Sequence, residues 1–181
     1  QFKVEVNGTP CFVYETEVAS FVSFDFTGSV KVRIDPSHEV RWVDIRPKSD
    51  AIAFESTKDT ITFELKEPVQ LSIELNGENT HPLYLFANPP APDYPTGDDV
   101  LRFAGGKVHE VGQLVMESNQ TIVIEGGAVV KGHIYAQNVD NVQLIGRGIL
   151  DGSEYGTENR LQRERLIMFD HVRDARIAGI T

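Results

Sequence analysis

The segment from Gln120 to Thr181 constrains the fold most, because it repeats itself. Val123 to Gly132 (VIEGGAVVKG) lies over Gln143 to Gly152 (QLIGRGILDG) at a shift of twenty positions, setting Ile124 on Leu144, Gly126 on Gly146 and Val129 on Ile149. Asn138 to Gly146 (NVDNVQLIG) lies over His171 to Gly179 (HVRDARIAG) at a shift of thirty-three, setting Asn141 on Asp174, Leu144 on Ile177 and Gly146 on Gly179. The thirteen extra residues fit one insertion, the polar run Ser153 to Arg165. Short apolar groups around Gly-marked corners, recurring about every twenty residues, are the mark of a solenoid in which each repeat is one coil.

Residue type decides which solenoid. Groups of two to four Val, Ile and Leu cut by Gly, Asn and Asp suit short strands with tight corners, whereas a helical repeat needs longer runs at a period near 3.6. The expectation is a stack of parallel strands with like residues in vertical columns. Ile124, Leu144 and Ile177 are expected in one column and Val129 with Ile149 in a second. Gly126, Gly146, Gly179, Asn141 and Asp174 are expected at the corners, where positive φ or local side-chain hydrogen bonds are required.

Residues 2 to 86 carry a different pattern. Phe2, Val4 and Val6 alternate with polar residues, and Asn7-Gly8 supplies a hairpin turn before Cys11 to Tyr14. The alternation continues through Phe21 to Phe26, Val30 to Ile34, Val40 to Ile45, Ile61 to Leu65 and Val69 to Leu75. Such spacing predicts an antiparallel β-sandwich. Trp42, the one Trp of the chain, is expected between its sheets; the alternative is a sugar-stacking platform formed with Tyr14 or Tyr84. Asn88 to Asp99 holds four prolines, which cannot donate to a ladder, so a linker is expected there. The predicted organisation is all-β: a sandwich over 1–87, a Pro-rich linker over 88–99 and the start of a parallel β-helix over 100–181. Short strands at Leu101 to Phe103, Lys107 to Glu110 and Leu114 to Met116 are expected to form its first turn and cover its top. Gly179-Ile180-Thr181 stops in mid-motif, from which a truncated, longer protein is expected.

Charge narrows the partners. With 17 Lys and Arg against 27 Asp and Glu the formal charge is −10, which argues against nucleic acid or an anionic membrane. Cys11 stands alone, so no internal disulfide is expected. The five His show no metal-type spacing, and neither a metal nor another cofactor is expected.

Gly146-Arg147-Gly148-Ile149-Leu150-Asp151-Gly152 resembles the Gly-x-Gly-x-Ile-Asp-Gly signature of polygalacturonases and their relatives. Arg165 to Val172 with Ala178 to Thr181 resembles the coil that follows it, although His171 and Asp174 stand where that family more often has Cys and Asn. The Pro-rich junction after a sandwich is similar to dextranases and isopullulanases. The resemblance implies a right-handed parallel β-helix and a secreted or periplasmic glycoside hydrolase, monomeric at full length, that cleaves a polysaccharide with inversion. It implies also that the catalytic aspartates lie on coils past Thr181, so no catalytic residue is assigned within the chain. The alternatives are a β-helical polysaccharide lyase and a non-catalytic glycan-binding or adhesion module. Asp151 matches a corner aspartate and is expected to be structural. The insertion Ser153 to Arg165 carries the candidate substrate-binding residues, Tyr155 and Arg160, because long loops on a rigid scaffold collect binding groups. Five Arg balance five acids from Ser153 to Thr181, which leans toward a neutral glucan or a decorated pectin.

Overall fold

The computed structural model describes residues 1–154 and 165–181. Helical geometry among them is confined to a 3-10 turn at Lys48–Asp50. The chain divides into two compact units, Gln1–Ala91 and Pro92–Thr181, at a point inside the proline-rich stretch.

The first unit contains β1 (Phe2–Val6), β2 (Thr9–Pro10), β3 (Val13–Glu15), β4 (Ser20–Asp25), β5 (Val30–Pro36), β6 (Val43–Arg46), β7 (Phe54–Ser56), β8 (Ile61–Leu65), β9 (Val69–Leu75) and β10 (Glu78–Asn88). They form two five-stranded sheets, ordered β2-β1-β5-β8-β7 and β3-β4-β10-β9-β6. Asn7 (φ 49°) and Gly8 (φ 80°) take the left-handed conformation that a two-residue hairpin turn needs, and Val6 pairs with Thr9 across it. Along β5, Val30, Val32 and Ile34 point inward while Lys31 and Arg33 are exposed. Inward residues of both sheets, among them Val4, Val32 and Ile61 from one and Val22, Ile73 and Leu85 from the other, form one apolar core.

Two expectations for this unit are corrected. β10 runs parallel to β4, from Leu83 opposite Ser20 to Asn88 opposite Asp25, so the strands are not antiparallel throughout. No short hairpin joins these distant strands, and an alternating pattern buries its apolar face in either direction. Trp42 is 65% exposed and does not pack between the sheets. Val43 and Ile45 take the inward positions of β6 opposite Leu75 and Ile73, and Trp42, one residue before the strand, falls outside that set.

The second unit contains β11 (Val100–Phe103), β12 (Lys107–Val115), β13 (Thr121–Ile124), β14 (Ala128–Gln137), β15 (Asp140–Gly146), β16 (Ile149–Asp151), β17 (Ile167–Asp170) and β18 (Arg173–Ala178). Two parallel sheets result, β11-β13-β15-β18 and β12-β14-β16, with β17 also paired to β14. Phe103, Ile122, Ile124, Val142 and Leu144 of the first sheet share one core with Ala128, Val130, Ile134 and Leu150 of the second. The stretches expected to cover the top are regular members of these sheets: β11 pairs with β13 and a single bulged β12 pairs with β14. At Gly132 β14 passes so close to its sheet neighbour β12 that an added Cβ would sit 2.1 Å from the Gly112 carbonyl oxygen.

The first column is corrected by one pair. Ile122, not Ile124, stands beside Leu144, which stands beside Ile177, while Ile124 meets Gly146. The shift is twenty-two residues between β13 and β15 but twenty between β14 and β16, because the corner after β13 is longer than the one after β15. A single shift therefore fits one sheet and misplaces the other by two residues, which keeps the inward face unchanged. Val129 does stand beside Ile149, although the core residues of that sheet are the neighbours Val130 and Leu150. Corners follow the expected chemistry: Asn141 (φ 55°), Asp174 (φ 54°) and Gly179 (φ 77°) are left-handed, and Asn141 Nδ2 donates to Asn119 Oδ1 at 3.0 Å. Gly127 rather than Gly126 takes the positive φ at its turn.

Candidate functional site

The face of β12, β14, β16 and β17 turned away from the core is the candidate. Ile134 and Ala136 point into the core, so His133, Tyr135 and Gln137 present the opposite side of β14. Parallel pairing extends each into a row: Gln113 with His133, Val115 with Tyr135 and Met168, and Gln137 with Asp170.

Ion pairs and hydrogen bonds run across these rows. Lys131, paired in register with Glu110 and Asp151, places Nζ 2.6 Å from Glu154 Oε1 and 3.4 Å from Glu110 Oε1. Gln137 Nε2 donates to Asp170 Oδ2 at 2.7 Å, and His171 Nδ1 lies 2.7 Å from Asp170 Oδ1. The Gln137 hydrogen bond and then the His171 contact hold the Asp170 carboxyl below its ordinary range, so it is an acceptor at neutral pH. Asp151 Oδ1 accepts from the Ser153 amide at 2.8 Å, which closes the turn leaving β16.

Arg102 on β11 is paired with Glu125 at the corner after β13, and Glu125 Oε2 also accepts from the Gly105 amide at 3.2 Å. Burial pushes the Glu125 carboxyl up, but the hydrogen bonds from Arg102 and Gly105 and the guanidinium charge outweigh it, and the net displacement is downward. A depressed carboxyl contributes stability that is present above its unfolded pKa and lost as pH falls through the folded one. Glu125→Gln is therefore expected to lower stability at pH 7 by about 0.5–1 kcal/mol, as for a part-exposed pair. Thermal unfolding from pH 7 down to about pH 3 should show its Tm deficit shrinking as the wild-type carboxylate protonates. A deficit that stays constant over that range would show that the charge is not what Glu125 contributes.

Asp35, Asp44, Glu125 and Asp170 are each displaced downward from the ordinary carboxyl value. None of them is an acid held protonated at neutral pH, the group that donates to a leaving oxygen in glycoside cleavage. No group of three or more His, Cys, Asp or Glu able to hold a metal occurs among the described residues. Tyr155 and Arg160, the sequence candidates for substrate binding, lie outside the described residues. This face thus sets polar rows, Gln113 with His133 and Gln137 with Asp170, on either side of the more apolar row of Val115, Tyr135 and Met168.

No family model matches the chain, and no curated protein matches it. No helix among the described residues is long and apolar enough to cross a membrane.

Sequence reasoning missed a second polar surface, around Trp42. The structure does not bring Trp42 together with Tyr14 or Tyr84. Register places Tyr14, Phe21, Tyr84, Ser72 and Arg46 in one cross-strand row, and Trp42 lies four residues before Arg46, about 13 Å along the chain. Phe21 stacks on Tyr84 with centroids 5.5 Å apart. The signal that could have found Trp42 is the inward parity of Val43 and Ile45.

Proposed function

We propose that the second unit is the beginning of a right-handed parallel β-helix and that the chain is the N-terminal part of a secreted or periplasmic glycoside hydrolase of the polygalacturonase and dextranase type. The observation that carries this reading is the in-register stacking of β13, β15 and β18, with the Gly146 to Gly152 signature at the corner between the two sheets. Right-handedness is supported by the near-universal hand of parallel crossover connections. The two five-stranded sheets of the first unit, sharing one core, support the sandwich half of the dextranase resemblance. A neutral or sparsely charged polysaccharide is the substrate class, because the −10 charge repels a polyanion.

The test compares residues 1–181 with the polypeptide extended past Thr181 on dextran, pullulan and polygalacturonate. The expected result is reducing sugar of inverted configuration from the extended polypeptide and none from 1–181. Hydrolysis by 1–181 alone would overturn the placement of the catalytic residues. Unsaturated, ultraviolet-absorbing products would replace hydrolysis by elimination, and no cleavage by either polypeptide would overturn the enzyme reading.

A further inference from the structure

An indole left in water forgoes the burial that makes Trp one of the largest apolar contributors to a core. Trp42 nevertheless stays 65% exposed and is held there firmly. Asn76 and Gly77 form the left-handed turn between β9 and β10, at φ 57° and 77°. The Asn76 side chain reaches across to the neighbouring loop: Oδ1 accepts from the amides of Arg41 (2.8 Å) and Trp42 (3.2 Å), and Nδ2 donates to the Glu39 carbonyl at 2.9 Å. The Asn76 amide donates in turn to the Trp42 carbonyl at 2.9 Å. Four hydrogen bonds to one asparagine fix the backbone on which the indole stands, so a ligand meeting it has little loop ordering left to supply.

Beside the indole is a groove of about 470 Å³, lined by His38, Glu39, Arg41, Trp42, Asn76 and Glu78. It joins one flat apolar surface to a rim of charged donors and acceptors of both signs. A pyranose has the complementary build, with axial C–H groups on its face and hydroxyls round its edge. Aromatic faces prefer such weakly positive C–H edges, and the hydroxyls can pair with carboxylate, guanidinium and imidazole alike. Two carboxylates, Glu39 and Glu78, against the one guanidinium of Arg41, together with the chain's charge of −10, favour a neutral sugar over an acidic one.

We infer that Trp42, with the polar rim of this groove, is a binding site for a neutral saccharide on the first unit. The site needs no catalysis, so it stands or falls separately from the hydrolase reading. Because Trp42 is the single Trp, its emission reports this site alone. Titration of residues 1–181 with isomaltotriose and cellotriose is expected to shift that emission to shorter wavelength. In native gels, dextran or mixed-linkage β-glucan is expected to retard migration where polygalacturonate does not. Trp42→Ala should weaken retardation about tenfold or more, and Trp42→Phe should keep part of it. Asn76→Ala should weaken it with the indole still present, while an unchanged circular-dichroism spectrum shows that each variant folds. Emission and migration unchanged by every neutral saccharide would overturn the inference. So would retardation undiminished in Trp42→Ala, or an emission shift produced by a peptide digest and by no saccharide.

Discussion

Gly146→Val is expected to leave the second unit unfolded at room temperature, with a loss of at least about 4 kcal/mol, among the largest effects of a single substitution. Gly146 is buried at the end of β15, and its φ of 140° lies where side-chain-bearing residues are strained. Space is the larger difficulty. A Cβ there would sit 1.9 Å from the Ile124 carbonyl oxygen and 2.7 Å from its carbon. Both obstacles are backbone of the adjacent strand β13, so no rotamer change relieves them. The next layer repeats the arrangement, since a Cβ on Gly179 would meet the Gly146 oxygen at 2.1 Å. Glycine is required because one coil rests directly on the backbone of another. Gly8→Ala is the control: Gly8 also has positive φ, but a Cβ there meets nothing within 4 Å, and only conformational strain of about 1 kcal/mol is expected. Far-ultraviolet circular dichroism on heating checks both, while Trp42 emission follows the first unit independently. A wild-type Tm for Gly146→Val would mean that β13 and β15 do not approach as described.

The repeat from Gln120 to Thr181 made this close stacking legible, because columns of like residues imply parallel strands whatever the details of the corners. The pairing of Leu144 with Ile177 follows directly from it, since β15 and β18 are joined by one insertion whose length the sequence shows. The partner of Leu144 on the other side was not legible, because corner length varies between Ile124 and Ala128 on one coil and Gly146 and Ile149 on the next. Direction was likewise hidden for β4 and β10, where period-2 alternation reports which face is buried and is silent on polarity. Trp42 was misjudged because hydrophobicity was weighed above parity, although Val43 and Ile45 had already claimed the inward positions. The side-chain reach of Asn76 to Arg41 and Trp42 spans thirty-odd residues and has no local sequence signature. For the candidate face, Asp151 as a corner residue was legible from its motif, whereas the pairing of Gln137 with Asp170 depends on how β17 docks on β14.

Within the corrected column, Leu144→Ala is expected to cost about 2–5 kcal/mol and Ile177→Ala less than about 1.5 kcal/mol. Leu144 is fully buried between Ile122 and Ile177, inside a core that also contains Ile124 and Val130. Truncation there removes three carbons and leaves a hole that a strand hydrogen-bonded on both sides cannot collapse to fill. Ile177 is half exposed at the edge of its sheet, so the same truncation vacates mostly solvent-facing volume. The pair also tests the register. Ile122 and Leu144 are direct neighbours, so Ile122→Ala combined with Leu144→Ala should depart from additivity by about 0.5–3 kcal/mol. Urea denaturation of the two single variants and the double variant measures that coupling, provided the m-values agree. Strict additivity for Ile122 with Leu144, together with strong coupling of Ile124 to Leu144, would return Ile124 to the column and reduce the shift between β13 and β15 to twenty.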